Sequence, residues 1–152
     1  MQKISPFLWF DNQAEEAAKF YTSIFRNSKV GRIARYGDAG PGPKGSVMTV
    51  AFELDGQEFA ALNGGPQFKF NHAISFVVNC ETQTEVDEMW QKLSAGGEIE
   101  QCGWLKDKYG VSWQVVPVAL HKLLQSPKAQ KVMLALMAMK KLDIAALERA
   151  AA

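Results

Sequence analysis

The stretch VSWQVV, Val111 to Val116, places Val111, Trp113 and Val115 in alternation with Ser112, Gln114 and Val116. A strand sends successive side chains to opposite faces. One face is therefore wholly apolar, and the other carries a hydroxyl and an amide. Such groups hold a ligand by hydrogen bonds. In the nearby GWLKD, Trp104 and Lys106 alternate with Leu105 and share a face; an indole and an ammonium suit an aromatic or anionic ligand. Asn63 and Ser75 are two more polar side chains placed for a cavity, while Phe70, like Phe68 beside Lys69, either lines its mouth or fills a core. Buried polar groups need partners, so Asn63, Ser75, Ser112 and Gln114 bond a ligand or one another. His72 and His121 enter no Ser-His-Asp or Cys-His order. Cys80 and Cys102 lack the paired spacing of a zinc site, and read as small buried hydrophobes. No residue is assigned a catalytic role.

The chain that must position these groups has 152 residues, 47% hydrophobic and 22% charged, enough for a packed core. A net charge of +1 offers no electrostatic footprint for nucleic acid. No apolar run is long enough for a membrane span, and MQKISPFLWF lacks the features of a signal peptide. A cytoplasmic location is the expectation.

Strand, helix and turn signals then repeat. ISPFLWF, Ile4 to Phe10, reads as a strand, followed by a helix with Asn12 as N-cap and Glu15 three positions on. Strands follow at about 31–36, 47–54 and 58–62, the last two joined by the hairpin turn Asp55-Gly56. The order restarts with AISFVVN, then a helix capped by Thr82 with Glu85 three on, stopped by Gly96-Gly97. EIEQC, GWLKD and VSWQVVP supply short strands. The pairs Ile4-Ser5 and Ile74-Ser75, and the caps Asn12 and Thr82, stand at matching offsets. This internal repeat predicts an α+β fold of two βαβββ modules, about 1–66 and 67–117. Each sheet has one face under its helix and one open, and pairing closes the open faces into a shared cavity. Beyond Pro117, residues 118–152 form a C-terminal helical extension: VALHKLLQ, then a segment helical in composition with a broad apolar face at Val132, Met133, Leu136, Met137 and Met139.

The segments PFLWFDNQAEEAAKFYTSIF, LNGGPQFKFN, AISFVVNCETQTEVDEMWQKLS and CGWLKDKYGVSWQVVP resemble PhnB-like proteins, also termed 3-demethylubiquinone-9 3-methyltransferase-like. These belong to the vicinal oxygen chelate superfamily, with glyoxalase I, extradiol dioxygenases and bleomycin-resistance proteins. The resemblance implies the glyoxalase/bleomycin-resistance fold and a homodimer, sometimes domain-swapped. It also implies positions for divalent-metal ligands, which fall here on Pro6, Asn63, Ala73 and Gln114, with His72 one residue out of register. Proline and alanine cannot bind a metal, and neutral amides make a poor zinc site. The expectation is therefore no metal and no cofactor. The first strand is followed by DNQAEE, without the glycine-rich turn of a methyl-donor site, so methyl transfer is not read from these residues. The reading that results is a small-molecule-binding protein for an apolar or aromatic compound, fixed by Asn63, Phe70, Ser75, Trp104, Ser112 and Gln114. The alternative is a metal-dependent lyase, isomerase or dioxygenase of the same fold.

Overall fold

The computed structural model describes residues 2–152. The chain divides into two compact units, one running to Lys69 and the other from Phe70 to Ala152. Each contains a four-stranded mixed sheet with a helix after its first strand, as the repeat predicts.

In the first unit the elements are β1 (Phe7–Phe10), α1 (Ala14–Ile24), β2 (Lys29–Arg35), β3 (Val47–Leu54) and β4 (Gln57–Asn63). The strand order is β1-β4-β3-β2, with β1 parallel to β4 and the other pairs antiparallel. The β3–β4 hairpin turns through Asp55 (φ 49°) and Gly56 (φ 78°), the left-handed pair that a two-residue turn requires. Ala14, Ala17, Ala18, Tyr21 and Ile24 form the buried stripe of α1. The small alanines let the helix approach a floor that includes Leu8, Phe10, Val50, Phe52 and Ala61, and the Tyr21 ring stacks on Phe52 at 6.2 Å. Full burial of side chains of this size contributes about 1.5–3 kcal/mol each.

Two details differ from expectation. β1 begins at Phe7, not Ile4, because Pro6 has no N–H to donate; only its carbonyl joins the sheet, accepting from Ala60 N at 3.0 Å. The helix also begins later than the Asn12 signal. Gln13 holds the N-cap position without a side-chain bond, and the free Ala14 N–H donates instead to Asn63 Oδ1, at 2.8 Å.

In the second unit the elements are β5 (Ser75–Cys80), α2 (Gln83–Ser94), β6 (Glu98–Ile99), β7 (Trp104–Lys106) and β8 (Ser112–Pro117). The order β5-β8-β7-β6 repeats the first sheet, again with its outer first strand parallel. Thr82 caps α2 as expected: Glu85 N donates to Thr82 Oγ1 (3.2 Å), and Glu81 N donates to Glu85 Oε2 (3.0 Å). Val86, Trp90 and Leu93 are buried on the helix side, as are Leu105, Trp113 and Val115 of the sheet. Gly96 ends the helix at φ +75°.

The extension forms three helices, α3 (Ala119–Leu123), α4 (Ala129–Met137) and α5 (Ile144–Ala151). The long helical segment is broken at 138–143. There Met139 O and Lys140 O accept from Cys102 N and Gly103 N, both at 2.8 Å, and Asp143 caps α5 through Ala146 N. Leu142 is buried in the break, among Leu120, Val132, Leu136, Leu147 and Val116 of β8. Met133, Leu134 and Met137 remain exposed. No helix is long and apolar enough to cross a membrane among the described residues.

Candidate functional site

The open face of the second sheet starts from the turn between β7 and β8. Asp107 is 2% exposed, yet its carboxylate is satisfied. Oδ1 accepts from Tyr109 N (2.8 Å) and Val111 N (3.1 Å), and Oδ2 accepts from the Trp113 indole N–H (2.8 Å). Buried charge persists only with such partners. The turn also closes through Asp107 N to Val111 O (2.9 Å), with Gly110 at φ +91°. It fixes the register that sets Lys106 beside Ser112 and Trp104 beside Gln114.

On its other side β8 runs parallel to β5, with Ser75 beside Ser112 and Val77 beside Gln114. Strand alternation therefore collects Ser75, Val77, Trp104, Lys106, Ser112 and Gln114 on one face, opposite α2. The helix-side residue Trp113 meets Phe76 at 5.4 Å. Gln114 Nε2 donates to Ser75 Oγ at 2.9 Å, which leaves the Gln114 carbonyl oxygen and the Ser75 hydroxyl hydrogen for other partners. Ser112 is 1% exposed, and its Oγ has no hydrogen-bond partner among the described residues. The far end of this face, at Val116, lies under the helical extension.

Four of the sequence-predicted residues, Ser75, Trp104, Ser112 and Gln114, thus share one face. Phe70 lies half-buried in the segment before β5. Asn63 differs. It follows Phe59 and Ala61 on the helix side of β4, where Oδ1 takes the Ala14 N–H, Nδ2 donates to Val47 O (3.2 Å) and its backbone oxygen accepts the Tyr36 hydroxyl (2.6 Å). The expectation that Asn63 faces the open side is therefore corrected: a distant strand supplies the cap that α1 lacks locally.

His72 also departs from the register argument. It lies in a turn outside β5, so strand alternation does not fix its direction. Its Nε2 is 2.8 Å from Glu100 Oε2, and its ring lies 6.3 Å from Trp104. Glu100 belongs to no motif that the sequence singles out; its backbone N–H donates to Trp104 O across a strand edge (2.9 Å). The sequence signal for it was its place in EIEQC, beside GWLKD.

Metal chemistry finds few ligands here. No group of three or more His, Cys, Asp and Glu side chains comes together among the described residues. One imidazole with one carboxylate, and an amide turned toward Ser75, do not fit the donor set of a zinc centre. Nucleophilic chemistry finds none at Cys80, whose thiol is fully buried and pushed by burial, and secondarily by Glu85, up to about 12.

The first unit has a pocket of about 530 Å³ at the N-terminal end of α1, lined by Asp11, Glu15, Tyr36, Asn63 and Gln67 among others. The loop 37–46 walls it by folding over Tyr36, so closely that a Cβ on Gly42 would overlap the tyrosine ring.

Comparisons with known proteins place this geometry in context. The profile of a family described as 3-demethylubiquinone-9 3-methyltransferase matches residues 2–116. The PhnB protein from Bacillus cereus is similar at 43% identity and a TM-score of 0.70, over 77% of this chain and all of that one. A glyoxylase/bleomycin resistance protein/dioxygenase domain from Frankia sp. superposes at a TM-score of 0.51 with 14% identity, covering 77% of this chain and 92% of its own. The fosfomycin resistance protein FosX from Listeria monocytogenes gives 0.55 at 14% identity, covering 80% and 97%. The last two show the fold alone. No curated protein sequence matches the chain.

Proposed function

The chain belongs to the family described as 3-demethylubiquinone-9 3-methyltransferase, and from that premise we propose that it is a small-molecule-binding protein of the glyoxalase/bleomycin-resistance fold, taking an apolar or aromatic compound without a metal. One observation carries this reading: the open face of the second sheet holds a buried hydroxyl, Ser112 Oγ, without a hydrogen-bond partner among the described residues, and next along β8 on that face the Gln114 amide, beside Trp104 and bonded to Ser75. A buried polar group without a partner costs about 1–3 kcal/mol, a cost that a ligand atom would offset. Val77 and the Trp104 ring supply the apolar surface. Phe70 is proposed as a wall of the site; Asn63, which caps α1 on the helix side of the first sheet, is not part of it.

The family description names a methyl transfer, but the residues around β1 and the Asn63–Pro66 segment offer no glycine-rich cradle leading into a helix. Chemistry is therefore not part of the proposal. A homodimer in the cytoplasm belongs to the same reading and rests on the family resemblance and on sequence composition.

A thermal-shift screen of planar aromatic compounds, run beside metal analysis of protein purified without chelator, tests it. The expected result is stabilisation by aromatic compounds that is lost in Trp104→Ala and Gln114→Ala, with no stoichiometric metal. Bound metal that disappears in Gln114→Ala would overturn the metal-free reading.

A further inference from the structure

The open face of the second sheet also carries charge. Lys106 is half-buried on that face, and no ion pair among the described residues engages it. Its register partners are Ser112 on β8 and Glu98 on β6. Glu98 is exposed and makes no ion pair with it, and Glu100 is held by His72. Cross-strand neighbours have Cβ atoms about 4.5–5.5 Å apart, so Lys106 and Ser112 stand side by side on this face. Both can donate, and among the described residues Lys106 makes no ion pair and the Ser112 hydroxyl no hydrogen bond. Two strands away, the Ser75 hydroxyl, already accepting from Gln114, is also free to donate. Trp104 sits two residues from Lys106 on the same face.

From this arrangement we infer that the ligand is an anion: a planar aromatic compound whose carboxylate or phenolate oxygen is held by Lys106 and Ser112 while its ring lies against Trp104. Three unspent donors on one face ask for an acceptor, and a charged acceptor makes hydrogen bonds roughly twice as strong as a neutral one. The Gln114 carbonyl then reads a donor elsewhere on the ring system. This inference rests on the binding reading above and adds the charge that reading leaves open.

The test compares 1-naphthoate with 1-naphthamide, which match in shape and differ in charge, by isothermal titration of the full chain. The expected result is at least tenfold tighter binding of 1-naphthoate, weakened by salt. Lys106→Met removes that preference by weakening 1-naphthoate at least tenfold, while Lys106→Arg keeps it. Equal binding of the two probes by the wild type, or a preference that survives in Lys106→Met, overturns the anion inference and leaves the binding reading standing. Binding of neither probe counts against both.

Discussion

At Asp107 one buried carboxylate takes three N–H groups, and its removal orphans all of them. Asp107→Ala is expected to cost about 2–4 kcal/mol, since each buried unsatisfied donor costs about 1–3 kcal/mol and part of the turn can relax. Urea denaturation measures it; a loss below about 0.5 kcal/mol would contradict the account. Asn63→Ala removes the acceptor for the first N–H of α1 and should cost about 1–2 kcal/mol, the range for a lost cap. Cys80 gives a third outcome. Its raised folded-state value means that below about pH 9 both folded and unfolded chains hold the thiol protonated, and that above it only the unfolded chain ionises readily, so folded stability falls as pH climbs from 9 towards 12. At pH 8 a thiol reagent should label the partly exposed Cys102 and spare Cys80 in the native protein. At this scale the sequence was uneven. Ser75, Ser112, Gln114 and Trp104 were legible because strict alternation along short strands assigns faces. Asn63 was not, because a side chain that caps a helix 49 residues away leaves no local pattern.

At the scale of elements, the two βαβββ orders were readable from hydrophobic periodicity and turn residues, and both helices stand where stripes and glycines put them. The edges moved where backbone chemistry overrode pattern, as at Pro6. The C-terminal extension is helical, as its Ala, Leu, Met and Lys predict; the break inside it carries no compositional mark, because tertiary bonds to Cys102 and Gly103 make it. A second latch fixes α5. Gln83 at the start of α2 donates to Leu142 O (3.0 Å) and accepts from Ile144 N (2.8 Å), and Gln83 and Lys141 together hold Asp87 below the usual carboxylate range. Leu142→Ala empties a fully buried position under this latch and should cost about 2–5 kcal/mol, with faster amide exchange at Ile144 and Ala146 before global unfolding. Unchanged exchange there would show that the extension holds without Leu142.

At the scale of the molecule, two similar modules have different furnishings. In the first unit a pocket lies on the helix side, at the N-terminal end of α1, while the other face mixes apolar residues such as Phe7, 60% exposed, and Ala60 with Lys29, Thr49, Glu53 and Glu58. In the second the polar groups gather on the open face, between the Asp107 turn and the helices at Val116. The repeat predicted the scaffold that the halves share; it could not predict this asymmetry, which depends on single residues such as Lys106 and Ser112. In the proposed function, ligand binds on the second sheet. The most direct measurement is a ¹H–¹⁵N NMR titration with 1-naphthoate, following side-chain amide and indole signals. The Trp104 indole and Gln114 amide signals are expected to move first and together, with the Asn63 amide unmoved. Shifts concentrated instead at Asn63 and Gln67, around the pocket of the first unit, would contradict it.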